Sequence, residues 1–186
     1  MKVLVACEYS GTVRDAFTKR GHDTISCDIL PTELPGNHYQ GDVLDILDNG
    51  WDMMIAFPPC THLAVSGARW FKEKRKDGRQ QQAIEFVKAL WEAPIEKVCL
   101  ENPVGVINRY LPCMPKPQYI QPYEFGTREQ KKTGLWLRNI PPLEPTDILD
   151  GPYLQSVWLM PPSKDRGHRR SRTFSGIATA MAEQWG

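Results

Sequence analysis

The segment Met53-Met-Ile-Ala-Phe-Pro-Pro-Cys60 constrains this chain more than any other. An apolar run closed by two prolines reads as a buried strand that stops abruptly, because proline has no N–H to give to a ladder. Each proline ring also fixes φ, so the loop leaving the strand is stiff. A thiol on a stiff loop at the carboxyl end of a strand stands where open α/β sheets bind their ligands. Cys60 is therefore either a nucleophile or a buried structural cysteine behind a proline turn, and the rest of the chain decides which.

Around that segment, strands and helices alternate. Val3–Ala6 is a short β run, and Gly11–Arg20 reads as a helix with Val13, Ala16 and Phe17 on one face and Gly21 as its stop. A second strand follows at Asp23–Asp28, then a loop at Leu30–Gln40 marked by two prolines and a glycine. Gln80–Ala93 is the clearest helix, with Ala83, Phe86, Val87, Leu90 and Trp91 on its apolar face and Pro94 at its end. Lys97–Leu100 is a strand that ends in Glu101-Asn102-Pro103. Another strand spans Thr133–Leu137, and a final helix spans Ile177–Gln184. The order predicts an α/β fold of Rossmann-like type, a mainly parallel sheet with helices on both faces. A length of 186 residues suits one domain, 1–186, in which the proline-rich, basic stretch 138–172 is a connection.

Composition narrows the function classes. The net charge of +1 excludes a global polycation, so any nucleic-acid binding must come from a local patch. The apolar runs are of strand length, too short for a membrane span. The amino terminus carries no signal-peptide pattern, and the five cysteines are odd in number with no C-x-x-C pair. A reduced, cytoplasmic compartment is the simpler expectation. No metal centre is expected, because Cys60-Thr-His62 is the only close ligand pair.

Other residues point to chemistry at strand ends. The turn Cys7-Glu8-Tyr9-Ser10-Gly11 is either a plain βα turn or a helix start whose N–H groups receive an anionic ligand group. Asp28, an acid about twenty residues after that turn, suits a ribose or simply caps its strand. Asp42 suits a base amino group or caps the turn behind it. Lys72, Lys74, Arg75, Lys76 and Arg79 lie beside Trp70 and Phe71, as either a phosphate-and-stacking surface or a solvated loop. Ser163–Arg172 is the densest basic run. If the Gln80 helix is a parallel crossover, Cys60 and Glu101 share one sheet edge, and a converging thiol and carboxylate form a candidate catalytic pair.

With Pro58-Pro59-Cys60 followed one crossover later by Glu101-Asn102, the sequence resembles the DNA (cytosine-5) methyltransferases, in a short form such as phages and prophages carry. Glu8–Gly11, Asp28, Gly41-Asp42, Gln130-Lys131-Lys132-Thr133 and the Ser175–Met181 helix extend the resemblance, in order, across nearly the whole chain. It implies S-adenosylmethionine as cofactor, with Cys7, Glu8, Ser10 and Gly11 at its methionine part, Asp28 at the ribose and Asp42 at the adenine amino group. Pro58 lies beside the same site. Cys60 is the implied nucleophile and Glu101 the group that binds or protonates cytosine N3. Lys131 or Lys132 is the implied contact to the base or a phosphate.

The chemistry explains the residue types. Carbon 5 of cytosine is a poor nucleophile until a thiolate adds at carbon 6 and turns the ring into an enamine. A free thiol is only slightly ionised at neutral pH, so local positive charge or a base must assist. A base inside a duplex must be flipped out, or already be single-stranded. The implied partner is DNA, gripped by Arg69, Lys72, Arg75, Arg128, Arg169, Arg170 and Arg172. Three departures stand out. The family's Phe-x-Gly-x-Gly turn is Cys7-Glu-Tyr-Ser-Gly11 here. Its Gln-x-Arg-x-Arg is Gln130-Lys-Lys-Thr-Gly134. The domain that reads target sequence has almost no room between Leu137 and the last helix, so specificity is relaxed or supplied by a homo-oligomer or accessory partner. Two other classes stay open: C5 chemistry on a nucleotide, and a non-catalytic cofactor- or DNA-binding remnant. Adenine-amino methylation fits poorly, since Phe57 stands where a polar residue is required before Pro-Pro.

Overall fold

A computed structural model describes all of residues 1–186 and contains one seven-stranded sheet. Its strands are β1 (Lys2–Ala6), β2 (Asp23–Asp28), β3 (His38–Gln40), β4 (Met53–Ala56), β5 (Lys97–Pro103), β6 (Gln118–Ile120) and β7 (Thr133–Arg138). They lie in the order β3-β2-β1-β4-β5-β7-β6. The first five run parallel, and β7 runs antiparallel to both of its neighbours. The helices are α1 (Thr12–Lys19), α2 (Phe71–Lys76), α3 (Arg79–Glu92), α4 (Ile107–Tyr110), α5 (Ser156–Leu159), α6 (Arg166–Ser171) and α7 (Ser175–Trp185).

Strand alternation sorts the core into two layers. Val3, Val5, Met53, Ile55 and Cys99 join one apolar cluster with Val13 and Phe17 of α1 and Ile177 and Met181 of α7. Leu4, Ala6, Met54, Ala56, Val98 and Leu100 join the other with Ile84, Val87 and Leu90 of α3. Both faces of β4 are therefore covered, which explains its uninterrupted apolar sequence. Each fully buried Leu or Ile contributes roughly 1.5–3 kcal/mol of transfer free energy. The expected α/β architecture is present, and the strand order reverses between β1 and β4. That reversal opens a crevice at the carboxyl ends of the parallel strands.

Local expectations differ from the structure in four places. The β5 ladder continues through Glu101 and Asn102 to Pro103, because β7 pairs with it as far as Pro103↔Thr133. Glu101 thus sits inside the ladder, not beyond its end. The expected loop Leu30–Gln40 closes with edge strand β3, paired Ser26↔His38. The basic stretch after Trp70 forms α2, and the proline-rich connection holds the one-turn helix α5. These elements are only six and four residues long, so their periodicity is too weak to read from sequence.

Gly11 marks why the first turn is as tight as it is. Its φ is 76°, and a Cβ there would meet Arg14 Nη2 at 2.5 Å. Arg14 is 1% exposed and donates to Ser26, Thr32, Leu34 and Pro35, fastening the 30–36 loop against α1.

Candidate active site

The crevice is a cleft of about 1750 Å³ that both Cys60 and Glu101 line. Strand register explains their meeting. Ala56 of β4 pairs with Leu100 of β5, so Glu101 is the next residue on one strand and Cys60 stands four residues on along the other. Pro58 is buried, and its carbonyl accepts from Asn102 Nδ2 at 2.9 Å. The Cys60 carbonyl accepts from Leu63 N at 3.0 Å and Ala64 N at 2.9 Å, closing a turn. Val65 N then donates to Val104 O at 3.0 Å, and Ala64 bridges Gly105. The Cys60 loop is stitched to the segment that follows Glu101. Gly105 is required there, since a Cβ would lie 2.5 Å from the Leu63 carbonyl oxygen.

The Glu101 carboxylate acts on the Cys60 thiol. Burial pushes the half-buried Cys60 thiol above its ordinary range, and the charge of Glu101 adds to that; Lys131 and Arg170 oppose it. Burial also pushes the Glu101 carboxyl up, against Lys131 and the Thr133 hydroxyl. The charge of Glu101 acting on the Cys60 thiol, and that of Lys131 acting on both, places thiol, carboxylate and ammonium in one electrostatic neighbourhood.

Lys131 and Lys132 separate cleanly. Lys131 Nζ donates to the Arg170 carbonyl at 3.0 Å and lies over the Phe174 ring, and its charge reaches both Cys60 and Glu101. Lys132 is exposed on the cleft wall, with Nζ 4.5 Å from the centre of the Tyr119 ring.

The strip expected to hold a cofactor lines the same cleft, from Cys7, Glu8 and Ser10 through Asp28 to Asp42. One part of that expectation is corrected. The Glu8 carboxylate itself receives Val13 N at 2.7 Å, Arg14 N at 3.2 Å and Ser10 Oγ at 3.1 Å. The anionic group at the α1 start is therefore the chain's own, and those N–H groups have no room for a ligand's. Glu8 caps a helix. Cys7 adopts a left-handed φ of 58°, and burial, with the fields of Asp28, Cys27 and Asp42, holds its thiol far above the ordinary range. Asp28 accepts from Leu30 N at 2.9 Å, and burial raises its carboxyl despite that bond and the nearby His38 and His168. Asp42 caps the turn at Val43–Ile46 by accepting from Leu44 N at 3.0 Å. In each acid one oxygen bonds the backbone and the other has no protein partner.

The basic run folds back over this strip. The Tyr9 ring stacks on His168 with centroids 4.0 Å apart, and its hydroxyl bonds the His168 carbonyl and meets Ser171 Oγ at 2.9 Å. Glu33 accepts from His168 Nε2 at 2.9 Å and from Arg172 at 2.5 Å. Arg172, expected on nucleic acid, thus ties the arm down. Arg128 donates to the Asp150 carbonyl at 3.1 Å. Arg69 and Arg170 line the cleft, Arg169 is exposed on α6, and Lys72 and Arg75 are exposed on α2. Sequence reasoning missed the Tyr9–His168–Glu33 latch, whose members are up to 159 residues apart. It also missed the bracing role of Asn102, although that residue adjoins Glu101 in the quoted motif. No cluster of three or more His, Cys, Asp or Glu is placed to hold a metal ion, and no helix is long and apolar enough to cross a membrane.

Neither a protein-family model nor a curated protein matches this chain. Among solved structures, a protein described as a DNA modification methyltransferase encoded within a prophage (E. coli) aligns over 87% of this chain, at 15% identity and a TM-score of 0.55. The Dnmt2 methyltransferase of S. pombe aligns over 85% of it, at 14% identity and a TM-score of 0.45. The chain spans about half of each, 55% and 53% of their lengths. The first likeness, with the strand order above, shows the Rossmann-like methyltransferase fold.

Proposed function

We propose that this chain transfers a methyl group from S-adenosylmethionine to carbon 5 of cytosine in DNA, through a covalent bond between Cys60 Sγ and carbon 6. The observation that carries this reading is the convergence of Cys60 and Glu101 in one cleft, on adjacent parallel strands, with the charge of Glu101 acting on the thiol. Cys99, which also feels the Glu101 charge, is wholly buried in the core, whereas Cys60 is partly exposed and lines the cleft.

The residues along the cofactor strip fit the donor. Asp28 and Asp42 each keep one carboxylate oxygen free of protein partners, as acceptors for ribose hydroxyls and an amino group. S-adenosylmethionine, when bound, supplies an electrophilic methyl group.

The chain's own groups do the rest. Cys60 as thiolate adds to carbon 6, and the displaced electron pair moves toward N3, which takes the proton of Glu101. The raised affinity of Glu101 for a proton suits it to begin as the neutral acid. Protonating Glu101 also removes the charge that opposes Cys60 ionisation, while Lys131 and Arg170 continue to favour the thiolate. The enamine electron pair at carbon 5 would then bond the methyl group as its bond to the donor's sulfonium sulfur breaks. The pair of that broken bond remains on the donor's sulfur, which leaves as the neutral thioether. Loss of the carbon 5 proton to water breaks the carbon 6–sulfur bond, returns the electron pair to sulfur and restores the aromatic ring; N3 gives its proton back to Glu101. Arg69, Lys72, Arg75, Arg169 and Arg170 grip backbone phosphate. All five cysteines are free, in keeping with a reducing compartment.

An oligonucleotide bearing 5-fluorocytosine, incubated with S-adenosylmethionine, tests the reading. The expected product is a denaturant-stable protein–DNA adduct, present with the native chain and lost with Cys60→Ser. Absence of the adduct with the native chain overturns it.

A further inference from the structure

The rim of the cleft carries aromatic surface that methyl transfer does not require. Trp158 is 66% exposed and Trp70 is 50% exposed, and both line the cleft that holds Cys60. Val65, at the start of the six-residue segment that ends at Trp70, also lines the cleft and is 51% exposed; Leu159, next to Trp158, is 66% exposed. Large apolar side chains left in water around one concavity mark a binding surface.

A cation lies near each tryptophan, over the ring of Trp70 and at the backbone of Trp158. The Arg69 guanidinium lies 5.1 Å from the centre of the Trp70 ring. Arg166 donates to the Met160 carbonyl at 2.8 Å and reaches the Trp158 carbonyl at 3.5 Å. None of the five salt bridges in the protein involves Arg69, Arg166 or Lys72, so these charges have no carboxylate to neutralise them. Flat rings alternating with uncompensated cations match a chain of phosphates that carries exposed bases.

We propose that this rim binds single-stranded nucleic acid, stacking bases on Trp70 and Trp158 and pairing phosphates with Arg69 and Arg166. The proposal deepens the reading of the cleft as a cytosine site, and rests on it for the destination of the strand. Two observations favour a single strand over a duplex. Bases in a duplex are covered above and below by their neighbours, so an exposed indole finds no free face there. The connection between β7 and α7 also holds only α5 and α6, of four and six residues. Six residues of helix span about 9 Å, and this stretch contains no two-stranded ribbon to enter a major groove about 12 Å wide.

Fluorescence anisotropy of labelled 12-nucleotide DNA, as a single strand and as a blunt duplex, measures the preference at several salt concentrations, using the Cys60→Ser chain so that no chemistry intervenes. The single strand should bind at least ten-fold more tightly, quench tryptophan emission, and lose roughly ten-fold in affinity with Trp158→Ala or Trp70→Ala, with partial recovery in Trp158→Phe. Equal or tighter binding of the duplex overturns the proposal. So does unchanged affinity in both alanine variants. A native chain that sediments as a dimer, and as a monomer after Trp158→Ala, overturns it in favour of a contact between copies. Failure of the 5-fluorocytosine adduct with single-strand binding intact would remove the methylation chemistry and leave this surface standing.

Discussion

Asn102 reaches from β5 to donate through Nδ2 to the Pro58 carbonyl at 2.9 Å, so the loop carrying Cys60 hangs from the strand carrying Glu101. Asn102 is wholly buried, and its Oδ1 has no partner in the protein. A buried polar atom without a partner is costly, so the side chain is held there by what its amide does for the loop.

Asn102→Ala should therefore destabilise the protein by about 1–3 kcal/mol and lower methyl transfer as well. Urea denaturation and turnover measured on the same preparation check this. Wild-type stability in the variant would show that the prolines alone hold the loop.

Glu101→Gln should move two readouts in opposite directions. Turnover should fall by roughly 10²–10⁴-fold, the range for a lost general acid. The Cys60 thiol should become easier to ionise, because the negative charge that raises it is gone. Its iodoacetamide alkylation curve, followed on the Cys60 peptide by mass spectrometry, should shift to lower pH. A shift to higher pH would contradict the placement of the carboxylate.

Lys131→Met should shift the same alkylation curve the other way, to higher pH, since Lys131 favours the thiolate. Lys132→Met should leave it in place, because that charge lies over Tyr119 and exerts no such influence on Cys60. Equal effects from both variants would mean that Lys132 also reaches the thiol.

Glu33→Ala should release the arm at Arg166–Arg172, seen as faster amide hydrogen exchange in that segment and little change in the sheet. The pH dependence has a definite sign. Burial, the largest single influence on Glu33, would raise its pKa, but its bonds to Arg172 and His168 and their charges together hold it below the ordinary carboxylate range. The latch is thus complete above that ordinary range, and weakens only as pH falls through the lowered value. Exchange in the arm that slowed on acidification through that range would contradict the latch.

Much of the frame was legible in residue order. The apolar run of β4 ending at Pro58, the helix stopped by Pro94, and the strand leading into Glu101 each announced themselves through local rules of proline geometry and side-chain period. The parallel crossover follows from the same pattern, and with it the meeting of Cys60 and Glu101 at one edge. Lys131 and Lys132 could not be told apart in sequence, because both precede β7 and Lys131 is placed by bonds to Gln121 Oε1 and the Arg170 carbonyl, partners 10 and 39 residues away.

The sequence by itself determined the alternation of strands and helices and the residue types at the strand ends, because these depend on contacts between near neighbours in the chain. The tertiary structure alone decided that Glu8 caps α1 in place of a ligand, that Tyr9 and Glu33 hold down an arm more than 130 residues away, and that Arg172 is tied to Glu33. Those choices depend on which distant groups folding brings within hydrogen-bond reach, and no local spacing encodes that.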